Sequence, residues 1–237
     1  MSPNQTIVAP TAYPYSMTTS MDIIVVGGGI SGLSTALKLS RAGHRITVLE
    51  RDDTPMPESA DAAFEWDRRG APQVRHSHAF LARLVSLLKA NEPDVLDKLF
   101  EAGATEIKFG EDLPATMEGF VSEPEDAELN MLTCRRTTFE WVLRRVVLDD
   151  GQVSFKTGIG VNGLVHETDA ASGLERITGV TTEDGSQLTA DLVVVAGGRR
   201  SSLPDWLNDI GIGPVQEEVE DTLEGYSGLA QQPVVVH

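Results

Sequence analysis

DIIVVGGGISGLSTALKLSRAGHRITVLE, residues 22–50, is the stretch from which the rest of the chain is read. Asp22–Val26 is a short apolar run stopped by glycines, the pattern of a parallel strand buried on both faces. Leu33, Ala36, Leu37 and Leu39 then recur at mainly helical spacing, and Gly43 falls where a helix closes on a left-handed residue. Arg45–Glu50, with β-branched residues at its centre, reads as a second strand. The three pieces make one βαβ unit, so the fold class expected is α/β with a Rossmann-like parallel sheet.

Within that unit, Gly27-Gly28-Gly29-Ile30-Ser31-Gly32 fits G-x-G-x-x-G. The string alone is weak in a chain with 22 glycines, but its place between a buried strand and a helix is specific. Gly27 permits the tight turn, Gly29 removes a Cβ so that backbone can approach a pyrophosphate, and Gly32 lets helix and strand pack closely. The N–H groups from Gly28 through Ile30 and Ser31 then face the phosphates, helped by the helix dipole. Glu50 closes the second strand where an acid accepts from adenosine ribose hydroxyls, and Arg51 behind it joins the expected nucleotide contacts. An acid there rejects a 2′-phosphate, so the site suits FAD or NAD and disfavours NADP.

Working outward, residues 51–75 read as a long charged loop. A helix is expected from Ser77 to about Ala90, and another from Pro93 to near Gly103. A polar acidic stretch runs to Glu128, followed by a strand at Leu129–Thr133. Thr137 to Glu140 forms a capping-box pattern that opens a helix through Val147. From Val153 to Val195 short strands broken at Ala171-Ser172-Gly173 and Asp184-Gly185 suggest a β-meander that returns to the apolar strand Leu192–Val195. A short helix covers Pro204–Ile210, and the tail after Gly225 has no clear signal. The expected division is a disordered leader over 1–20, a nucleotide-binding domain over 21–203, and the start of a truncated second half over 204–237.

The 36 acidic and 19 basic residues give a net charge of −17, which argues against nucleic acid or anionic membrane as partners. No apolar run approaches the roughly 20 residues of a membrane span, and the first residues lack the layout of a signal peptide. The single cysteine, Cys134, excludes an intrachain disulfide and a cysteine metal site, and reads as a reduced core residue. A cytoplasmic location is expected, and no metal. Asp52-Asp53 and Glu217-Glu218 read as solvated charge.

The segments DIIVVGGGISGLSTALKLSRAGHRITVLER, GAPQVRHSHAFLARL, CRRTTFEWVLRRVV and ITGVTTEDGSQLTADLVVVAGGRRSSLPDWL together resemble the FAD-dependent monooxygenase and oxidoreductase superfamily that includes para-hydroxybenzoate hydroxylase. The closer likeness is to its bacterial oxidoreductase branch, over residues 22–211. The resemblance implies that Arg136 meets the flavin cofactor's phosphates (Arg135 being the fallback), that backbone at Val161 reaches the adenine, and that Gly198 in the Gly197-Gly198 turn touches FAD. Gly197 stands where that family has an acid, which leaves handling of NAD(P)H, the expected transient reductant, less supported than FAD. His76 and His78 fall in a region near the flavin in relatives, and their spacing on a helix argues against a metal pair.

The activity implied is oxygenation of a small organic substrate by O₂ after NAD(P)H reduces FAD, with no catalytic side chain assigned. Members of that superfamily are about twice as long, so a truncated chain, a homo-oligomer or a partner supplying the missing half is expected. The rival readings are an NAD-dependent dehydrogenase, disfavoured by the meander, and a non-catalytic nucleotide-binding fragment.

Overall fold

The computed structural model describes residues 19–68, 77–110, 121, 123–215, 219–221 and 234–236. Its centre is a parallel four-stranded sheet in the order β10 (Leu192–Val195), β1 (Asp22–Val26), β2 (Arg45–Glu50), β6 (Val153–Thr157). Helix α1 (Ile30–Arg41) is the crossover from β1 to β2, and Gly43, at φ 93°, donates its N–H to the Ser40 carbonyl at the helix end. The chain moves outward from β1 through β2 to β6 and then returns to the other side of β1 as β10. That reversal leaves a crevice at the C-terminal ends of β1 and β10, where ligands bind in open parallel sheets.

Both faces of the sheet are covered, which is why β1 and β10 are unbroken apolar runs. Ile23, Val25, Ile46 and Val48 pack against Ala36 of α1. Ile24, Val26 and Leu49 face the other way, onto Val180, Leu164, Leu188 and Trp206. That second cover is the antiparallel meander β7 (Val161–Thr168), β8 (Glu175–Thr182), β9 (Gln187–Thr189), joined by α5 (Leu203–Asp209). Its turns fall where the glycines predicted, with Gly173 and Gly185 both at positive φ. The expected parallel sheet with an inserted meander is therefore present. Val153–Thr157, however, is a strand of the parallel sheet and not part of the meander.

The excursion between β2 and β6 differs more from its sequence reading. Ser77–Phe80 is a strand, β3, and not the first turn of a helix. It pairs antiparallel with β5 (Met131–Arg135), and Phe80 stacks on Phe139 with ring centroids 4.6 Å apart. This distant pairing outweighs the local helical spacing, and α2 (Ala82–Asn91) starts only after Leu81. Helix α3 (Pro93–Glu101) is as expected. Within the stretch read as featureless, Thr105–Ile107 forms β4 on the far side of β5, and Pro124–Leu129 forms a 3₁₀ turn. That turn consumes Leu129, so β5 lies two residues later than predicted.

Helix α4 (Arg136–Asp149) buries Phe139, Val142, Leu143, Val146 and Val147 against α1 and α3. The capping box predicted at its start is absent: Arg135 is the N-cap and supplies no side-chain cap. The tail contributes Val234–Val236, paired with Val219–Asp221. Most of the leader (1–18), His76 and Glu217-Glu218 lie outside the described residues. Among the described residues, no helix is long and apolar enough to cross a membrane, and no cluster of potential metal ligands occurs.

Candidate nucleotide site

The turn from β1 into α1 is shaped by contacts that only glycine allows. Gly27 has φ 104°, and a Cβ there would lie 2.5 Å from the carbonyl oxygen of Ala196 at the end of β10. A side chain at Gly32 would overlap the Gly27 carbonyl oxygen, so α1 sits directly against the turn. Gly29 differs from both, because a Cβ there would meet nothing within 4 Å. No packing among the described residues demands a glycine at Gly29. The open space beside an uncapped helix start, with no acid in its first turn, suits an anion's approach. Ser31 is exposed there, and Ile30 is partly buried against the helical core.

Glu50 does more than end β2. Its Oε2 accepts from the Gly28 N–H at 2.9 Å and its Oε1 from the Asp52 N–H at 2.8 Å. The carboxylate thus clamps the glycine turn to the loop after β2. Arg68 Nη2 lies 3.4 Å from the same Oε2. A carboxylate offers about four acceptor positions, so Oε1 keeps one for a ligand hydroxyl. The backbone of Glu50 accepts from Ile159 N–H at 3.0 Å, which places Val161, the first residue of β7, two residues from this contact. Arg51 is exposed. Gly198, at φ 72°, opens a 3₁₀ turn just after the Ala196 carbonyl that backs Gly27.

Arg136 starts α4 and is largely buried. Its Nη2 is 3.8 Å from Glu140 Oε2, and its Nε has no partner among the described residues. Burial pushes its pKa below the ordinary arginine value, an energetic reason to take an anion. The structure therefore gathers Gly27, Gly28, Gly29, Glu50, Val161 and Gly198 around the ends of β1, β2 and β10. Arg136 is linked to them through side chains to which the sequence reading gave no part in the site.

Those side chains are Asp52, Arg68, Glu140 and Arg144. Asp52 is not solvated charge: its side chain is 8% exposed and 2.7 Å from Arg68 Nη1. Burial works to raise its pKa, but hydrogen bonds from Thr54 and the charges of Arg68 and Arg144 together hold it below the usual value. Glu140, expected to cap α4, instead accepts from Arg68 Nε at 2.7 Å. Arg144 lies over the rings of Phe155 at 4.3 Å and Trp66 at 5.3 Å. The loop bearing Arg68 is tied to α4, because Trp141 Nε1 donates to the Pro57 carbonyl at 2.8 Å. Only the Trp66-x-Arg68 pair, unusual in a polar loop, could have signalled this cluster.

The remaining candidates stand apart. His78 falls on β3 opposite Cys134 in register, on a strand and not a helix. Cys134 is half-buried, and burial pushes its thiol up to about 11, in keeping with a reduced structural residue. A cavity of about 680 Å³ opens between this small sheet and the end of α3, lined by Asp61, Thr105, Thr133, Cys134 and Arg135 among others.

Residues 22–89 match the model of a family described as FAD dependent oxidoreductase. The chain is 29% identical over 234 residues to Protein Rv3254 of Mycobacterium tuberculosis (strain ATCC 25618 / H37Rv), covering 90% of this chain and 47% of that protein. It is 30% identical over 193 residues to aurachin C monooxygenase/isomerase of Stigmatella aurantiaca, covering 79% and 43%. Among solved structures, CtdE in complex with FAD superposes with a TM-score of 0.54 at 16% identity, covering 89% of this chain and 49% of that one. The fold is thus shared with an FAD-bound protein, and the chain spans about half the length of the relatives it matches.

Proposed function

We infer that this chain, which belongs with the FAD-dependent oxidoreductases, holds the ADP half of FAD in the crevice at the ends of β1 and β10. We further infer that it serves a monooxygenase-type reaction on a small organic substrate. Flavin held there would supply the redox chemistry, hydride acceptance from NAD(P)H and use of O₂. The chain's own residues bind and orient. The start of α1 at Gly29, Ile30 and Ser31 takes the pyrophosphate, with Arg136 as its side-chain cation. Glu50 accepts from the ribose, and backbone at Val161 meets the adenine. The turn at Gly198 borders the cofactor's path.

The observation that carries this reading is the open side of Gly29 next to tightly packed Gly27 and Gly32. Packing explains two of the three fingerprint glycines, and a ligand explains the third. The monooxygenase character rests on the names of the relatives and on the resemblance, and NAD(P)H on the resemblance alone. A cytoplasmic location accords with a chain whose single cysteine is a reduced structural thiol.

A visible absorption spectrum tests the reading. The purified chain is mixed with FAD, freed of unbound cofactor by desalting, and scanned. Retained flavin absorbance is expected. A colourless protein that takes up no FAD at micromolar concentration would overturn the reading for this chain.

A further inference from the structure

Four charged residues form a continuous path between the two ends of the proposed nucleotide site. Glu50 Oε2 lies 3.4 Å from Arg68 Nη2, and Arg68 Nε donates to Glu140 Oε1 at 2.7 Å. Glu140 Oε2 then lies 3.8 Å from Arg136 Nη2. Arg68 has a side branch, donating from Nη1 to Asp52 Oδ2 at 2.7 Å. Its side chain is 4% exposed, and Glu140's is 1%. One guanidinium thus serves three carboxylates, using all three of its nitrogens.

A buried arginine with this many partners costs much desolvation and is weak evidence for stability as such. Its geometry has a directional consequence. Glu50, Asp52 and Glu140 converge on one point, and without a central cation their mutual repulsion would turn Glu50 away. Arg68 is itself held. The Trp66 ring centroid lies 5.0 Å from its guanidinium, and Arg144 lies over the same ring and over Phe155. The Phe155 ring tip in turn lies 2.6 Å from where a Cβ on Gly28 would be, so the stack ends against the glycine turn.

We propose that Arg68 is a positioning residue that aims the Glu50 carboxylate at the adenosine ribose and joins that end of the site, through Glu140, to Arg136 at the phosphate end. This inference rests on the nucleotide reading above and deepens it. Arg68 need not touch the nucleotide. A planar fork can hold three acids in fixed directions, and a lysine, with one point charge, cannot hold all three at once.

The test compares two probes, ADP and 2′,3′-dideoxy-ADP, titrated into the full chain by calorimetry. A hydroxyl bond to a charged acceptor makes wild type favour ADP by about tenfold. Arg68→Met is expected to cut that preference to about twofold or less, and Arg68→Lys to restore part of it. A merely structural role would weaken both probes equally and leave the ratio unchanged, and that result overturns the proposal.

If Arg68→Met does not fold by circular dichroism, Arg68→Met with Glu140→Leu replaces it, since removing a buried pair together is often tolerated. Loss of the ratio in the double variant supports the proposal, and its retention refutes it. Wild type that binds ADP with no preference over the dideoxy probe removes Glu50 as the ribose acceptor and the proposal with it. Wild type that binds neither probe refutes the nucleotide reading itself.

Discussion

Helix α1 begins after Gly29 and helix α4 after Arg135, and neither start carries a side-chain cap or an acid in its first turn. The surroundings of the two starts are opposite. At α1 the backbone is bare, with open space beside Gly29 and an exposed Ser31. At α4 the opening is packed solid: Thr137, Thr138 and Phe139 are buried, and so is Glu140 one turn on. The first start is built by what its side chains lack. The second is built by an ion network that reaches 72 residues back along the chain to Arg68. The contrast shows two ways to build a helix start without a side-chain cap, one steric and local, the other electrostatic and distant.

The largest effect should come from breaking the distant one. Glu140→Ala leaves Arg68 with one fewer buried partner and Arg136 with none of the pairing seen here, and is expected to cost about 3–5 kcal/mol. Urea unfolding of the variant against wild type measures it. A loss below about 1 kcal/mol would mean that the network is loosely held and that the α4 start does not depend on it.

Next in size is the steric counterpart. Gly32→Ala forces a methyl into the Gly27 carbonyl, which is backbone and cannot swing aside, so α1 must shift. The cost is expected near 3 kcal/mol, the upper end for overpacking. The same unfolding experiment reads it, and a variant as stable as wild type would show that α1 can slide along the sheet.

The two starts also differ in how far the sequence disclosed them. The βαβ unit was readable because its signals are local: DIIVV, the glycine spacing, and Gly43 all lie within 22 residues, and each has a backbone reason. Gly27 and Gly32 proved as tight as their spacing implied. The meander was readable for the same reason, through its turn glycines. Around α4 the local signals misled. The Thr137-to-Glu140 pattern looks like a capping box, yet Glu140 is drawn to a buried arginine from a loop with no periodicity. Ser77–Phe80 looks helical in continuation with Leu81 and Leu84, yet it pairs with a strand more than 50 residues on. Asp52 looked solvated because nothing nearby in sequence announces Arg68. Where partners are distant, residue type and spacing carry little of the information.

A third, smaller effect follows from Asp52. Its pKa is lowered in the folded chain, so it contributes stability above its unfolded value, about 3.9. That contribution disappears as pH falls below that value and through the lowered folded one. Asp52→Asn should therefore destabilise at neutral pH by about 1 kcal/mol and flatten the acid limb of stability below about pH 4. Thermal unfolding across that range checks it. Parallel acid limbs in variant and wild type would show that Asp52 does not respond to Arg68.

Gly29→Ala sharpens the comparison from the open side. A methyl there meets no atom of another described residue within 4 Å, so stability should change by no more than about 1 kcal/mol, the size of an N-cap preference. Affinity for ADP should fall by about tenfold, because the methyl enters the space proposed for the phosphates. Loss of stability with intact affinity would reverse the assignment and make Gly29 a packing residue like its neighbours.

The smallest effect belongs to the crowded start. Thr137 is fully buried, and its hydroxyl has no hydrogen-bond partner among the described residues. A true N-terminal cap would bond backbone N–H groups, and removing it would cost about 1 kcal/mol. A buried hydroxyl without a partner has the opposite sign, since its desolvation is uncompensated. Thr137→Val keeps the shape and removes the polar atom, so it should leave stability unchanged or raise it by up to about 1 kcal/mol. A loss of about 1 kcal/mol would mean that Thr137 does cap the helix in solution. The α4 start would then be local after all, and the contrast with α1 would reduce to the presence or absence of a side chain.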